Sequence, residues 1–259
     1  VIKKPKILFC TVFYNEWYID LDGNIHRNWN SLLPIEKSFD ELSRLSYQQY
    51  KYYQPKTVYE TDDFIFEWRR VRCTFIDEGR NACINLHKSQ AIKQKLPEDY
   101  DYYWFIDSDT SFTYAHIIQL LNNTAPILSG AYAERANPKK NYCAGYFKSN
   151  FKGVISKWLT QNNKGIRKVD WHGMGFCKIH RSVFEKCKYE WFSVETVNFM
   201  NENGDPSTLK IHEDIYFCMN AKKHGYDLLV DCDCVVNHHL DQVVSVIDIK
   251  KILNSKPPK

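Results

Sequence analysis

Apolar and polar positions fall in short blocks along this chain, and the period of the blocks switches between that of strands and that of helices. Lys6-Ile-Leu-Phe-Cys-Thr-Val-Phe13 is a run of β-formers with little polar interruption, as in a strand buried on both faces. Leu33 to Tyr53 has helical spacing (Ile35, Phe39, Leu42, Leu45, Tyr50) and stops near Gln54-Pro55. Cys73-Thr-Phe-Ile76 reads as strand-like, and a helix is predicted from about Gly79 to Leu96, ahead of Pro97. Tyr102-Tyr-Trp-Phe-Ile106 is the clearest strand; it ends in Asp107-Ser108-Asp109, and a short helix at about Tyr114 to Leu121 follows. Pro126 to Ala133 reads as another strand, and segments near 142–148, 153–158 and 166–171 as the strands of a small mixed sheet. Helices are predicted at Ser182–Lys188 and at His212–His224, the second closed by Gly225, and strands at Asp227–Asp231 and Cys234–Asn237. A terminal helix is predicted at Asp241–Leu253. Alternating strands and helices in the first half predict an α/β fold with a largely parallel central sheet.

Composition narrows the classes. At 259 residues with 44% hydrophobic and 25% charged residues, the chain can bury an ordinary core and is neither disordered nor collagen-like. Lys and Arg (35) exceed Asp and Glu (31) for a net charge of +4, too mild to point to nucleic acid. No apolar run reaches the roughly 20 residues of a membrane span, and Val1 to Lys6 lead into a strand rather than a signal peptide. The nine cysteines are scattered with no Cys-x-x-Cys, so buried thiols and a cytoplasmic location are expected in place of a disulfide framework.

Several stretches carry candidate chemistry. Asp107 and Asp109 follow an apolar strand, where ligands of open α/β sheets sit, and alternation puts both on one side. Two close carboxylates repel, and a hard divalent cation shared with phosphate oxygens removes the repulsion. The bland alternative is a solvated turn. His212-Glu213-Asp214 opens a helix: acidic residues there complement the helix dipole, or one of them aims into a cleft as a general base. Val230-Asp-Cys-Asp-Cys-Val-Val-Asn-His238-His239 brings imidazoles to a strand end, where they suit a metal; its Cys-x-Cys spacing is not a usual structural zinc pattern. Gly79-Arg80-Asn81 at a predicted helix start suits a phosphate or ribose. Trp171-His-Gly173-Met-Gly175 offers glycines for close backbone approach and a Trp to stack on a sugar, against the plain reading of a core aromatic.

The order of these pieces resembles the nucleotide-sugar-dependent glycosyltransferases of the GT-A fold, in the style of family two, over about Lys6 to His239. No family pattern is evident from Tyr14 to Asp63. The resemblance implies a single Rossmann-like GT-A domain over 1–259. It would have a mostly parallel mixed sheet flanked by helices, with a small second sheet. It also implies a nucleotide-binding half at about 1–110, an acceptor-binding half at about 111–240 and a tail at about 241–259. It further implies transfer of a sugar from a nucleoside-diphosphate sugar to the hydroxyl of a glycan or glycoconjugate, with inversion, supported by Mn²⁺ or Mg²⁺.

Position by position, Asp109 is implied as direct metal ligand, with Asp107 nearer the ribose and the metal waters. His238 completes the metal shell, with His239 as the register alternative. Thr11, Phe13, Arg80 and Ser108 fall with the nucleotide, and Asp214 is the acceptor base. Glu213, Trp171 and Gly173 lie on the acceptor side. No acidic partner for a uracil-like base is evident. Two other classes remain in view. One is a haloacid-dehalogenase-like phosphohydrolase attacking phosphorus through Asp107, although Ser111 stands where that family has Thr or Val. The other is a non-catalytic nucleotide- or carbohydrate-binding module.

Overall fold

The computed structural model describes residues 3–13, 17–19, 25–27, 35, 37–39, 42, 48–51, 57–72, 75–84, 100–148, 151–200 and 205–239. Its strands are β1 (Lys6–Phe13), β2 (Trp17–Ile19), β3 (Ile25–Arg27), β4 (Gln48–Lys51), β5 (Thr57–Glu60), β6 (Ile65–Arg72), β7 (Tyr102–Ile106), β8 (Thr110–Ser111), β9 (Ile127–Ala131), β10 (Asn141–Lys148), β11 (Phe151–Thr160), β12 (Ile166–Val169), β13 (Trp171–His172), β14 (Phe176–His180), β15 (Glu195–Met200), β16 (Pro206–Ile211), β17 (Leu228–Val235) and β18 (Asn237–His238). Its helices are α1 (Ile76–Ile84), α2 (Tyr114–Leu121), α3 (Arg181–Lys186) and α4 (Glu213–Lys223).

Nine strands form one mixed sheet in the order β12-β17-β9-β14-β7-β1-β6-β5-β4. Parallel pairing is confined to β6–β1–β7 and β9–β17; every other neighbouring pair is antiparallel. The sheet is therefore less parallel than the strand–helix alternation implied. The reasons are the antiparallel strands β12, β5 and β4 at the sheet's two ends and β14, which enters between β7 and β9 running against both. Because β14 reverses direction twice over, β1, β6, β7, β9 and β17 all finish at the same edge of the sheet.

Period-two alternation on the central strands sorts the core into two faces. Leu8, Cys10, Tyr103 and Phe105 join a cluster with residues of α1, α3 and α4. Ile7, Phe9, Trp104 and Ile106 join the opposite cluster with Ile117 and Leu120 of α2. Phe9 is fully buried among Phe39, Phe64, Phe66 and Phe112 with ring centroids 5.2 to 6.5 Å away. Burying a side chain of this size stabilises by roughly 1.5–3 kcal/mol. The aromatic richness of the composition is spent mainly on these two layers.

Several expected elements shift. The predicted helix over Leu33–Tyr53 has described helical residues at 35, 37–39 and 42, but Gln48–Lys51 is strand β4. Of the strand expected at 73–76, residues 73 and 74 lie outside the described residues and Ile76 begins α1, so Gly79 lies within the first turn of that helix. Strand β6, ending at Arg72, was not among the expected elements. Strands β10, β11 and β13 form an all-antiparallel sheet, whereas β12 belongs to the main one. One strand, β17, spans the two expected at 227–237. Gly225 does close α4, with φ +85. The hairpin β15–β16 has no counterpart among the expected elements, and the helix expected at 241–253 lies outside the described residues. Among the described residues no helix is long and apolar enough to cross a membrane. The eight described cysteines are free and all but Cys143 are buried.

Candidate functional site

The shared strand edge collects most of the predicted residues. Asp107 and Asp109 leave the end of β7, Tyr132 to Arg135 leave β9, His238 follows β17, and Arg80 sits on α1 just after β6. Asp214 and Glu213 start α4, which packs on the cluster below that edge through Phe217 and Cys218. A short antiparallel pairing, β8 with β18, sets His238 opposite Thr110.

Two groups of charges result. In the first, Arg80 is buried on α1 and its Nη2 donates to Asp107 Oδ1 at 3.1 Å and lies 3.4 Å from Glu213 Oε1. Its guanidinium is 5.9 Å from the Phe192 ring, which stacks on Phe217 of α4. Asn81 fixes that segment by giving its amide to Phe192 O at 2.7 Å and accepting from Phe192 N at 3.2 Å. Arg80 Nη1 is buried with no hydrogen-bond partner among the described residues.

Burial and the carboxylates of Glu213 and Asp107 push Asp214 up to about 6, although Arg80 and the Ile215 N–H that donates to Asp214 Oδ1 at 2.7 Å pull it down. A carboxylate that only capped a helix would be lowered by the dipole. For Asp214 burial and the neighbouring acids outweigh that, so it is a helix-start carboxylate that is also raised. Asp107 is likewise raised, by burial above all, with Arg80 opposing and Asp109 and Glu213 adding to it.

The second group is centred on Asp109. His238 Nε2 lies 3.3 Å from Asp109 Oδ2, and the Arg135 guanidinium pairs with the same oxygen. His238 Nδ1 is 2.7 Å from Ala133 O, a carbonyl that can only accept, so Nδ1 carries a proton, and Nε2 donates to the Asp109 carboxylate when the ring is protonated. Burial alone would raise Asp109, but His238 and Arg135 outweigh it and hold the carboxyl below its ordinary range. Burial pushes His238 down, and the facing carboxylate more than reverses this.

His239 is not equivalent. Its backbone N–H donates to Asp109 O at 2.8 Å and its Nε2 contacts Ser111 Oγ at 2.7 Å, which leaves His238 as the imidazole at the carboxylate.

Other predicted residues have structural work. Thr11 is fully buried, and its hydroxyl accepts from Trp68 Nε1 at 3.0 Å, away from any open surface. Phe13 closes β1, but its side chain lies outside the described residues. Ser108 sits in the turn between the two aspartates. Trp171 is a core residue, 2% exposed and edge-on to Trp158 at 4.9 Å, so it has no free face for a sugar. Gly173 and Gly175 make room for Tyr132 rather than for a ligand: a Cβ would fall 2.0 Å from Tyr132 Oη at Gly173 and 2.7 Å from Tyr132 Cζ at Gly175. Tyr132 accepts from Gly175 N at 2.9 Å and holds its ring edge-on to His238 at 5.4 Å. Cys232 and Cys234 enter opposite core clusters, which dismantles the zinc reading of that stretch.

Sequence reasoning missed Arg135 and Tyr132. Arg135 sits on a loop with no periodicity, and Tyr132 looks like one more strand aromatic.

Among the described residues no group of three or more His, Cys, Asp or Glu is placed to hold a metal ion. Asp109 with His238 is a two-ligand set. Such a set fits Mg²⁺ or Mn²⁺ when phosphate oxygens and water complete the shell, because these ions are commonly held by one or two carboxylates plus substrate phosphates.

No protein-family model matches the chain, and no curated protein matches it. A solved structure described as "Crystal Structure of A197 from STIV" is similar with TM-score 0.45 and 16% identity, covering 93% of this chain and 97% of that one. What the chain and the structure establish together is a mixed α/β fold whose strand ends gather an Asp-x-Asp, a histidine and a helix-borne acidic pair.

Proposed function

We propose that this chain is a GT-A-type, divalent-cation-dependent glycosyltransferase that moves a sugar from a nucleoside diphosphate to a hydroxyl acceptor, with inversion. The observation that carries the reading is the approach of His238 Nε2 to Asp109 Oδ2 with Nδ1 committed to a backbone carbonyl. A metal-ligating histidine is commonly held in this way, its other nitrogen donating to a carbonyl. Asp109 and His238 would hold the ion, which when bound supplies positive charge against the departing diphosphate.

The chain's own groups do the rest. Arg80 opposes the upward shift of Asp107 beside the site, and its Nη1, which has no hydrogen-bond partner among the described residues, is a donor for a ligand oxygen. Asp214, poised near neutrality, takes the proton of the incoming hydroxyl. Glu213 is tied to Arg80 and holds the start of α4 toward Asp107. The acceptor side differs from the one the resemblance implies: Trp171 and Gly173 build the wall behind Tyr132, and acceptor contacts fall to Glu213 and Asp214 at the start of α4.

The test is thermal stabilisation by UDP-, GDP-, dTDP- and CMP-sugars with and without Mn²⁺. Stabilisation by one donor that requires the metal is expected and names the nucleotide. No donor effect, together with hydrolysis of an aryl phosphate that is lost in Asp107→Asn, would replace this reading with the phosphohydrolase one.

A further inference from the structure

Asp109 Oδ2 is claimed twice. His238 Nε2 reaches it at 3.3 Å, and the Arg135 guanidinium pairs with the same atom. Under the glycosyltransferase reading, on which the role assigned to Arg135 rests, that oxygen is also a ligand of the divalent cation. A guanidinium paired with that oxygen and a divalent cation ligated by it repel each other, so entry of the ion disfavours the Arg135 contact.

The two basic groups differ in how firmly they are held. His238 is pinned: its side chain is 4% exposed, its Nδ1 is bound to Ala133 O, and Tyr132 packs against its ring. Arg135 has a 57% exposed side chain, and among the described residues its recorded partner is Asp109.

The backbone under Arg135 is nevertheless fixed. Ala133 bridges to Tyr142, and the Glu134 carboxylate accepts from Ala136 N at 2.7 Å and Asn137 N at 2.8 Å, which folds the loop around it. A well-anchored backbone thus carries a long cationic side chain that is free to turn through solvent.

We propose that Arg135 is a resident counter-cation. In the empty site it neutralises Asp109; when the divalent cation enters, the guanidinium leaves that oxygen and binds the diphosphate that the cation brings with it. Guanidinium suits this second position because its fixed fork of N–H donors matches phosphate oxygens and its charge is permanent. Arg135 is thereby a positioning residue for the donor and a competitor of the free cation. Asp109 is neutralised when the site is empty, which disfavours loading metal without nucleotide.

The test separates the two affinities. Mn²⁺ binding to the whole chain is followed by electron paramagnetic resonance without nucleotide, for wild type and Arg135→Gln. Binding of UDP, GDP, dTDP and CDP is then measured by calorimetry at saturating Mn²⁺. Arg135→Gln is expected to bind Mn²⁺ alone about three- to fivefold more tightly and the cognate diphosphate about three- to fivefold more weakly, the scale of one competing and one supporting exposed charge–charge contact. Arg135→Lys, which keeps the charge, is expected to recover part of the diphosphate affinity.

Mn²⁺ affinity that is unchanged or weaker in Arg135→Gln, or diphosphate affinity that is undiminished, overturns the proposal while leaving the transferase reading in place. Wild type that binds none of the four diphosphates in a Mn²⁺-dependent way removes the transferase reading, and this proposal with it.

Discussion

The two charge groups at the strand edge are opposite in composition. Around α1 and α4, one guanidinium, that of Arg80, serves Asp107 and Glu213 and the neighbouring Asp214. Around β8 and β18, one carboxylate, that of Asp109, serves Arg135 and His238. Burial above all, with the neighbouring acids adding to it, raises Asp214 and Asp107 on the first side, and the bases on the second outweigh burial and hold Asp109 below its ordinary range. A site that needs a proton acceptor and a separate anchor for a cation requires this asymmetry. Two equal aspartates in a solvated turn would show neither shift.

The largest effect that sharpens the comparison is on the acidic side. Asp214→Asn is expected to lower transfer by about 10²- to 10⁴-fold, the usual worth of a general base, with donor affinity retained. In wild type the base must be ionised, so kcat/KM should rise with pH through about 6 and then level. Full activity in the variant, or a flat profile between pH 5 and 7, would deny Asp214 the role.

Next comes the guanidinium that the acids share. Arg80→Ala leaves buried Glu213 and partly exposed Asp107 without their partner and is expected to cost roughly 3 kcal/mol in denaturant unfolding, the low end of the range for breaking a buried pair by removing one member. A loss under 1 kcal/mol would mean that the first group is solvated rather than enclosed.

On the basic side, His238→Ala should weaken Mn²⁺-dependent nucleotide binding about 10- to 100-fold, as removal of a partner around a bound metal does. Equal affinity in variant and wild type, with Mn²⁺ and without, would break the assignment.

A further effect concerns stability. A carboxyl raised in the folded state binds its proton more readily there than in the unfolded chain, so it favours folding at low pH and penalises it once ionised. Asp214→Asn should therefore be more stable than wild type at pH 7, by at most about 3 kcal/mol for a shift of two pH units. The gain should shrink as pH falls from about 6 and vanish below about 4. A variant less stable than wild type at pH 7 would show that Asp214 is held by favourable contacts instead.

The parts of the fold that the sequence makes legible are those whose residue pattern matches their environment. Strand β7 and helix α2 have the predicted bounds, and α4 differs by one residue at each end, because their apolar residues face apolar layers. Strand β6 escaped notice because buried Glu67 and Arg69 occupy two of its inward positions and pair with each other at 3.3 Å. The pair makes a central strand look polar. Strand β14 hides in the same way: Lys178 is buried, giving its ammonium to Leu120 O at 2.7 Å and to Asn123 O where α2 ends.

Within the site, Asp107, Asp109, Asp214 and His238 were readable because each follows or begins a strong element. Arg135 was not, since an exposed arginine on a loop has no pattern and acquires meaning only when β9 ends beside β7's aspartates. The glycines misled for a related reason. Sequence shows that a close approach is needed, but it takes the structure to show that Tyr132 makes it.

The central claim is that a divalent cation belongs between Asp109 and His238. The most direct measurement is anomalous diffraction from crystals grown with Mn²⁺ and the cognate nucleoside diphosphate. The account predicts a manganese peak within ligand distance of Asp109 Oδ2 and His238 Nε2, with Arg135 moved off that oxygen. A diphosphate bound with no manganese peak, and Arg135 still paired to Asp109, would contradict it.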